Sequence, residues 1–447
     1  MKARSNVSTT ATVKKTINTV TETSKTVNKI IIPEGMTKKQ AAEDLMNQWN
    51  NEEQFQQFQI MLEGWDWKDG LRAFRNVIED KFGWLKGGEA GWFTPPPSEI
   101  TITTGYKNGE PILESAFYGP CKFPVFEDAE GLISVSGGHA ICSIKAKKKF
   151  SLQINTFFKE VEQYIQNNSI YRNKPVVVTY DEDNDRLDLN ITEIHGNDRI
   201  ILNEDEYLVI DNFVVGQLNE PGKRTYLFSG PYGNGKSETA MNIAVEALKR
   251  EISFFYLKDT RAFNKLLVFA KKYEPCIVFC EDIDEITTGE DRDANINQIL
   301  NTIDGVETKG RNITTIFTTN HEDRINPALR RPGRIDLIVN FQNPNNVTKE
   351  RILRLYLEKL KGHESVDYEL VVNQMEDTSG ATVAEIAKRA VRLAQQHNNE
   401  ITTDRVLACI KSMAYQIQFM KGSVTDVNPL KKSLETLRDF MTLGVEG

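Results

Sequence analysis

The feature that most limits what this chain can fold into is an eight-residue stretch, Gly230-Pro-Tyr-Gly-Asn-Gly-Lys236-Ser237, standing directly after the apolar run Tyr226–Ser229. It matches G-x-x-x-x-G-K-[ST] in full and in a strand-loop-helix setting. Glycines at these positions let successive backbone N–H groups wrap a phosphate at a helix N-terminus, which is an anion site by geometry and dipole together. The spacing therefore predicts a nucleotide-binding loop made of Gly230, Pro231, Tyr232, Gly233, Asn234, Gly235, Lys236, Ser237 and Glu238. Lys236 supplies a point charge at the β and γ positions, and Ser237 offers its hydroxyl to Mg²⁺.

The surroundings of this loop predict the fold class. From Arg224 onward apolar strands and helices alternate: Tyr226–Ser229, helix 236–249, Ser253–Leu257, helix 262–272, Cys276–Cys280, helix 294–303, Ile313–Thr318 and Ile335–Phe341. Such alternation predicts an α/β parallel sheet with helices on both faces, as in P-loop NTPases. After Pro344 the strands stop. Thr348–Lys361 carries Ile352, Leu353, Tyr356, Leu357 and Leu360 on one stripe, and helices near 382–397, 402–420 and 429–442 complete an all-α lid and tail.

Upstream the text is different. Residues 1–29 are rich in Ser, Thr, Lys and Val and read as a disordered tail. A polar helix with Ala42, Leu45, Met46 and Trp49 at helical spacing follows the turn at 33–37. All five tryptophans (Trp49, Trp65, Trp67, Trp84, Trp92) fall before the breaker at 95–97, which suggests a compact module with an aromatic core or, alternatively, a partner-binding surface. Residues 99–150 read as short strands with turns at Gly105, Gly109, Gly131 and Gly137-Gly138. A helix near 156–166 and strands near Val176–Thr179, Arg186–Ile191 and Tyr207–Ile210 lead onward. The organisation expected is a tail (1–29), an N-terminal α+β module (30–204), a large α/β subdomain (205–343), a helical lid (344–420) and a helical tail (421–447).

Composition excludes some functions. With Lys+Arg 55 against Asp+Glu 63 the net charge is −8, which argues against coating nucleic acid through the overall field. The basic run Lys145-Ala-Lys-Lys-Lys149 is read as edge-strand protection, with nucleic-acid contact as its alternative. The uncharged stretch Leu132–Ile144 is well short of the roughly 20 apolar residues of a spanning helix, so no membrane segment is expected. Five scattered cysteines suit reduced thiols and a cytoplasmic setting. Cys276 and Cys280 lie in an apolar run that reads as a buried strand rather than a metal site.

That strand ends in Glu281-Asp282, with Asp284 and Glu285 behind, so carboxylates stand at the carboxyl edge of the sheet where phosphates and metal would lie. Glu281 is assigned to Mg²⁺ and Asp282 to polarising the attacking water. Further on come Thr319-Asn320 and Asn326-Pro-Ala-Leu-Arg-Arg331-Pro-Gly-Arg334-Ile-Asp336. Over roughly residues 205–400 the chain resembles the AAA family of ATPases, on the phosphate loop, the Glu281-Asp282 strand, Leu300-Asn-Thr-Ile-Asp-Gly305, Thr319-Asn320 and the Arg-Pro-Gly-Arg box. The resemblance implies that Asn320 orients the lytic water, that Arg331 and Arg334 are arginine fingers reaching a neighbouring subunit, and that Gly380 and Ala381 of the lid meet the nucleotide. It also implies self-assembly into a ring, a hexamer or similar.

Most members of the family end the strand Asp-Glu. The reversed Glu281-Asp282 is similar to the mitochondrial AAA chaperone that translocates the folded Rieske protein, and to AAA ATPases of tailed phages and bacteria; a phage origin would put the chain in the host cytoplasm. Protein-unfolding AAA rings carry an aromatic-apolar-Gly loop between the second and third strands, whereas Lys258 to Glu274 contains no glycine here. The expectation is an ATP-hydrolysing, chaperone-like ring that remodels or translocates a protein partner, met through residues 30–204, without threading it. The alternatives are a nucleic-acid-handling motor or loader, and a nucleotide-dependent binding switch with low turnover.

Overall fold

The computed structural model describes residues 35–82, 98–196, 200–284, 299, 303, 310–331 and 333–420. The expected tails at 1–29 and 421–447 lie outside the described residues. So do Trp84, Trp92, Glu285, Pro332, the body of helix 294–303 and most of the 300–305 box.

The chain divides into two compact units, one of residues 1–63, 70–100 and 116–165, the other of residues 64–69, 101–115 and 166–447. In the first, α1 (Lys38–Glu52) begins at Thr37, whose hydroxyl accepts from the Gln40 N–H while the Gln40 side chain bonds back to the cap. A five-stranded sheet, whose residues 101–115 count with the second unit, runs in the order β1 (Phe55–Met61), β5 (His139–Lys147), β4 (Glu130–Ser136), β3 (Glu110–Lys122), β2 (Ser98–Lys107). Helices α2 (Trp67–Phe82) and α3 (Ser151–Asn168) complete its elements.

Among the described residues, the core of this unit is aromatic through phenylalanine. Phe82, Phe123, Phe126 and Phe157 meet with ring centroids 5.5–6.0 Å apart, while Trp49 is 51% exposed and Ala42 and Met46 are exposed as well. The stripe read on α1 is therefore not a core stripe; only Ala41 is buried there. Trp65 belongs to the second unit, where the Lys272 ammonium stands 4.4 Å over its ring. Turns at 108–109 and 137–138 fall where expected, but Gly105 and Gly131 lie inside strands. A Cβ on Gly131 would stand 2.4 Å from the Phe123 ring, so this glycine marks close packing rather than a turn.

The second unit is built on a seven-stranded sheet in the order β12 (Leu337–Asn340), β8 (Arg224–Ser229), β11 (Ile313–Thr319), β10 (Cys276–Cys280), β9 (Ser253–Leu257), β6 (Pro175–Asp181), β7 (Arg186–Ile191). All neighbours are parallel except β6 and β7, an antiparallel hairpin. Residues 175–191 thus join this sheet, ahead of the boundary read at 204, because the β-branched run 176–178 pairs with β9. Phe254, Phe279 and Ile316 face α5 (Lys236–Lys249) through Ala240, Ile243 and Ala244. On the opposite face, Phe255 and Phe317 meet Phe269 and Phe263 of α6 (Phe263–Ala270). Helices therefore cover both faces, and β10 and β11 are buried throughout.

Residues 207–210 are helical rather than extended, within α4 (Glu204–Ile210). Asn203 and Glu206 form a capping box that outweighs the short apolar run. The lid comprises α7 (Asn346–Leu357), α8 (Tyr368–Asn373), α9 (Gly380–Gln395) and α10 (Thr403–Met420), around Leu353, Leu357, Val371, Ile386, Ala390 and Val406. Helix α8 lies between the two helices read from periodicity, and is short enough to have escaped it.

Candidate functional site

Parallel registers bring the ends of five strands to one edge. Ser229 lies beside Thr319 and Asn340, and Cys280 lies beside Phe317 and Leu257. The loop at 230–235, Glu281-Asp282 and Asn320 consequently leave the sheet at the same carboxyl edge, the usual ligand position in such sheets.

The loop needs its glycines. A Cβ at Gly230 would fall 2.0 Å from the Phe341 carbonyl oxygen, and Gly230, Gly233 and Gly235 all have positive φ. Gly235 caps α5 without any side-chain cap, so the first N–H groups of that helix are left for an anion. Tyr232 is exposed, with its hydroxyl 3.3 Å from His321 Nε2. Glu238, in the first turn of α5, is exposed, and Ser237 is half-buried.

Lys236 is 6% exposed. Its ammonium donates to the carbonyls of Gly230 (2.7 Å) and Pro231 (2.9 Å) and to Asn320 Oδ1 (2.6 Å). Asn320 Nδ2 in turn donates to Asp282 Oδ1 at 2.7 Å. One chain of hydrogen bonds thus joins the phosphate loop, the strand-end acid and the residue after β11, three segments separated by 38 to 84 positions. Burial lowers the Lys236 pKa from its ordinary value, and the negative charges of Asp282 and Asp284 oppose that fall.

The two strand-end acids diverge. Glu281 accepts from the Tyr256 hydroxyl on β9, and burial followed by this carboxylate raises the Tyr256 pKa. Asp282 turns toward β11. Asp284, 5% exposed, accepts from Thr319 Oγ1 at 2.7 Å, and Thr319 Oγ1 accepts from the His321 N–H at 3.0 Å. Ser237 and Glu281 are hard oxygen donors of the kind Mg²⁺ takes. Cys276 and Cys280 are buried within β10, and burial raises the Cys276 thiol pKa.

The lid reaches the loop directly. Ala381 N–H donates to Gly233 O at 2.8 Å, and Gly380 N–H to Asn234 Oδ1 at 3.1 Å. Asn234 Nδ2 donates to Asn343 Oδ1 (3.0 Å), and Asn343 Nδ2 to Asp377 Oδ1 (2.6 Å). Asn343 was not singled out by sequence reasoning; its position between β12 and Pro344 was the available signal. Tyr256, Thr318 and the Asn203–Glu206 pair were missed too, since each acts on a distant segment. Of the two arginines, Arg331 is exposed, whereas Arg334 is half-buried and donates to the Ala328 carbonyl at 2.7 Å.

Residues 226–343 match the model of the ATPase family associated with various cellular activities (AAA). The chain is 33% identical over 192 residues to the 26S proteasome regulatory subunit 4 homolog of Schizosaccharomyces pombe, covering 39% of this chain and 43% of that protein. It is 30% identical over 224 residues to the proteasome-activating nucleotidase of Methanosarcina mazei, covering 46% and 53%. It is 33% identical over 195 residues to the ATPase family gene 2 protein of S. pombe, covering 40% and 24%. The chain thus spans from a quarter to about half the length of these curated relatives. With the loop, the strand-end acids and the lid contact gathered at one sheet edge, residues 226–343 are the core of an AAA-family ATPase domain.

Proposed function

We propose that this chain binds ATP with Mg²⁺ and hydrolyses it as a ring, a hexamer or similar, to remodel or move a protein partner. The observation that carries the reading is the Lys236–Asn320–Asp282 chain, which ties the phosphate-facing cation to the acid suited to polarise water. In this reading Lys236 holds the β and γ phosphates, Asp282 takes the proton of the attacking water, and Asn320 orients that water. Ser237 and Glu281 would hold Mg²⁺, which supplies charge neutralisation on the phosphates. Gly380 and Ala381 carry the nucleotide state into the lid. Arg331, the more exposed of the two candidate fingers, would complete a neighbour's site.

Two of the relatives are named for activating or regulating a proteasome, which favours a protein partner. Against the nucleic-acid alternative, Lys147 lies 3.0 Å from Glu53 and 3.2 Å from Glu127, and Lys149 lies 2.7 and 3.1 Å from the same acids. The basic run is largely neutralised within its own unit. Against threading, Phe263, Phe269 and Tyr273 are all buried, so none of the aromatics between β9 and β10 offers a grip. Of residues 30–204, those outside the nucleotide-binding sheet are the expected partner-binding part, and the cytoplasm is the expected location.

The test uses a folded fluorescent domain fused to a partner recovered with the Asp282→Asn variant. Release of the partner with the reporter still fluorescent is expected; ATP-dependent loss of fluorescence would overturn the non-threading reading. Turnover stimulated several-fold by single- or double-stranded DNA would favour the nucleic-acid motor.

A further inference from the structure

Asp282 has φ +46°, in the left-handed region. Asp and Asn are several-fold enriched there, because a short polar side chain tolerates the conformation, whereas longer side chains are uncommon. The turn is held from the neighbouring strand: the Asp282 N–H donates to Thr318 Oγ1 at 3.1 Å. Thr318 is 1% exposed, on β11, one position beyond the Cys280–Phe317 pair. Its hydroxyl is used on a backbone amide beside the site.

The turn has a geometric consequence. Successive side chains of an extended strand point to opposite faces, so two acids in a row could not both serve the carboxyl edge without a change of backbone. Here the change falls between them: Glu281 is held from β9 by Tyr256, and Asp282 is held by Asn320, the residue just after β11. We propose that Thr318 is a positioning residue that clamps this left-handed turn, and that the turn is why the hydrolytic base of this ATPase is the short carboxylate. The inference rests on the reading of Asp282 as base. It adds a residue to the catalytic apparatus and a physical reason for the reversed order Glu281-Asp282. A longer acid would have to adopt a backbone conformation it resists, or abandon the turn and displace its carboxylate, and a misplacement of about 1 Å can cost on the order of 100-fold in rate.

The test is steady-state ATP hydrolysis by the full chain, with nucleotide affinity and thermal midpoint measured on the same samples. Thr318→Val keeps the shape and removes only the hydroxyl; it is expected to lower kcat about tenfold or more with KM for ATP little changed. Thr318→Ser restores the hydroxyl and is expected to recover most of the turnover. Asp282→Glu keeps a carboxylate and is expected to lower kcat rather than raise it. Wild-type kcat in Thr318→Val, equal impairment of the Val and Ser variants, or Asp282→Glu turning over as well as wild type would each overturn the proposal. Should Thr318→Val fail to fold, the Ser and Asp282→Glu measurements decide it. Asp282→Asn, which tolerates the same φ, separates the two layers: retained turnover there would remove the base assignment itself, whereas an inactive Asn variant beside a fully active Thr318→Val would remove only the clamp.

Discussion

At the scale of single residues, the site depends on charges held out of water. The Lys236 ammonium sits among carbonyls and beside Asn320, so its removal takes away the cation proposed to meet phosphate without opening the hydrophobic core. Lys236→Ala is expected to weaken ATP binding by roughly 100-fold or more, with the thermal midpoint of the nucleotide-free protein little changed, as read by calorimetric titration and a melt. Asp282→Asn is expected to bind ATP and release phosphate at least roughly 100-fold more slowly. A pH dependence follows from burial. The Lys236 pKa lies below its ordinary 10.5, so the free protein loses this proton at lower pH than an exposed lysine would. A triphosphate favours the charged form, so binding takes up a proton in that alkaline window and affinity falls as pH rises through it. Asp282 is among the charges that hold the value up, so Asp282→Asn is expected to move the fall to lower pH.

Among the elements, the loop before α5 and the segment after β12 are fitted against each other. Gly230→Ala would place a methyl group 2.0 Å from the Phe341 carbonyl, at φ +137°. Backbone strain and the clash together are expected to cost more than about 2 kcal/mol, seen as a lower denaturation midpoint even without nucleotide. The Asn234–Asn343–Asp377 network and the Gly380 N–H bond link loop, sheet end and lid. Asn343→Ala removes the shared member. It is expected to speed nucleotide release several-fold while changing kcat less than KM, measured by stopped-flow displacement of a fluorescent nucleotide. If release is unchanged, the network is merely structural.

For the whole molecule, the question is whether one chain holds a complete site. Arg331 is exposed on the segment after the Asn320 loop, as a residue serving a neighbour would be. Arg331→Ala is expected to keep ATP affinity and lose at least roughly 100-fold in turnover, in line with the worth of such fingers. Adding Lys236→Ala subunits, which keep their arginines, is expected to restore part of that turnover in mixed assemblies. Specific activity independent of concentration across the assembly range would count against shared sites. Arg334 already bonds Ala328, so its replacement should also loosen its own loop, and a lowered thermal midpoint would distinguish it from Arg331.

What the sequence alone determined was local. Gly230 to Ser237 is contiguous, and three glycines with a lysine at fixed spacing dictate both the backbone path and the chemistry. The apolar runs of β8 to β11 and the stripe of α7 follow from periodicity, so the α/β class, the sheet with helices on both faces and the helical lid were legible in advance. Tertiary structure decided whatever needed a partner far along the chain. Residues 176–178 could be read as a strand, but only pairing with Phe255 to Leu257 assigns them to the nucleotide-binding sheet. Tyr207 to Ile210 is apolar enough for either periodicity, and the box between Asn203 and Glu206 made it a helix. The tryptophans marked the N-terminal region, yet among the described residues phenylalanines from α2, α3 and the segment after β3 fill its core, because burial depends on which faces meet. Asp282 was visible as an acid at a strand end. Its left-handed turn depends on the Thr318 hydroxyl 36 positions away, and no spacing rule within one strand can reveal a hydrogen bond made from the next.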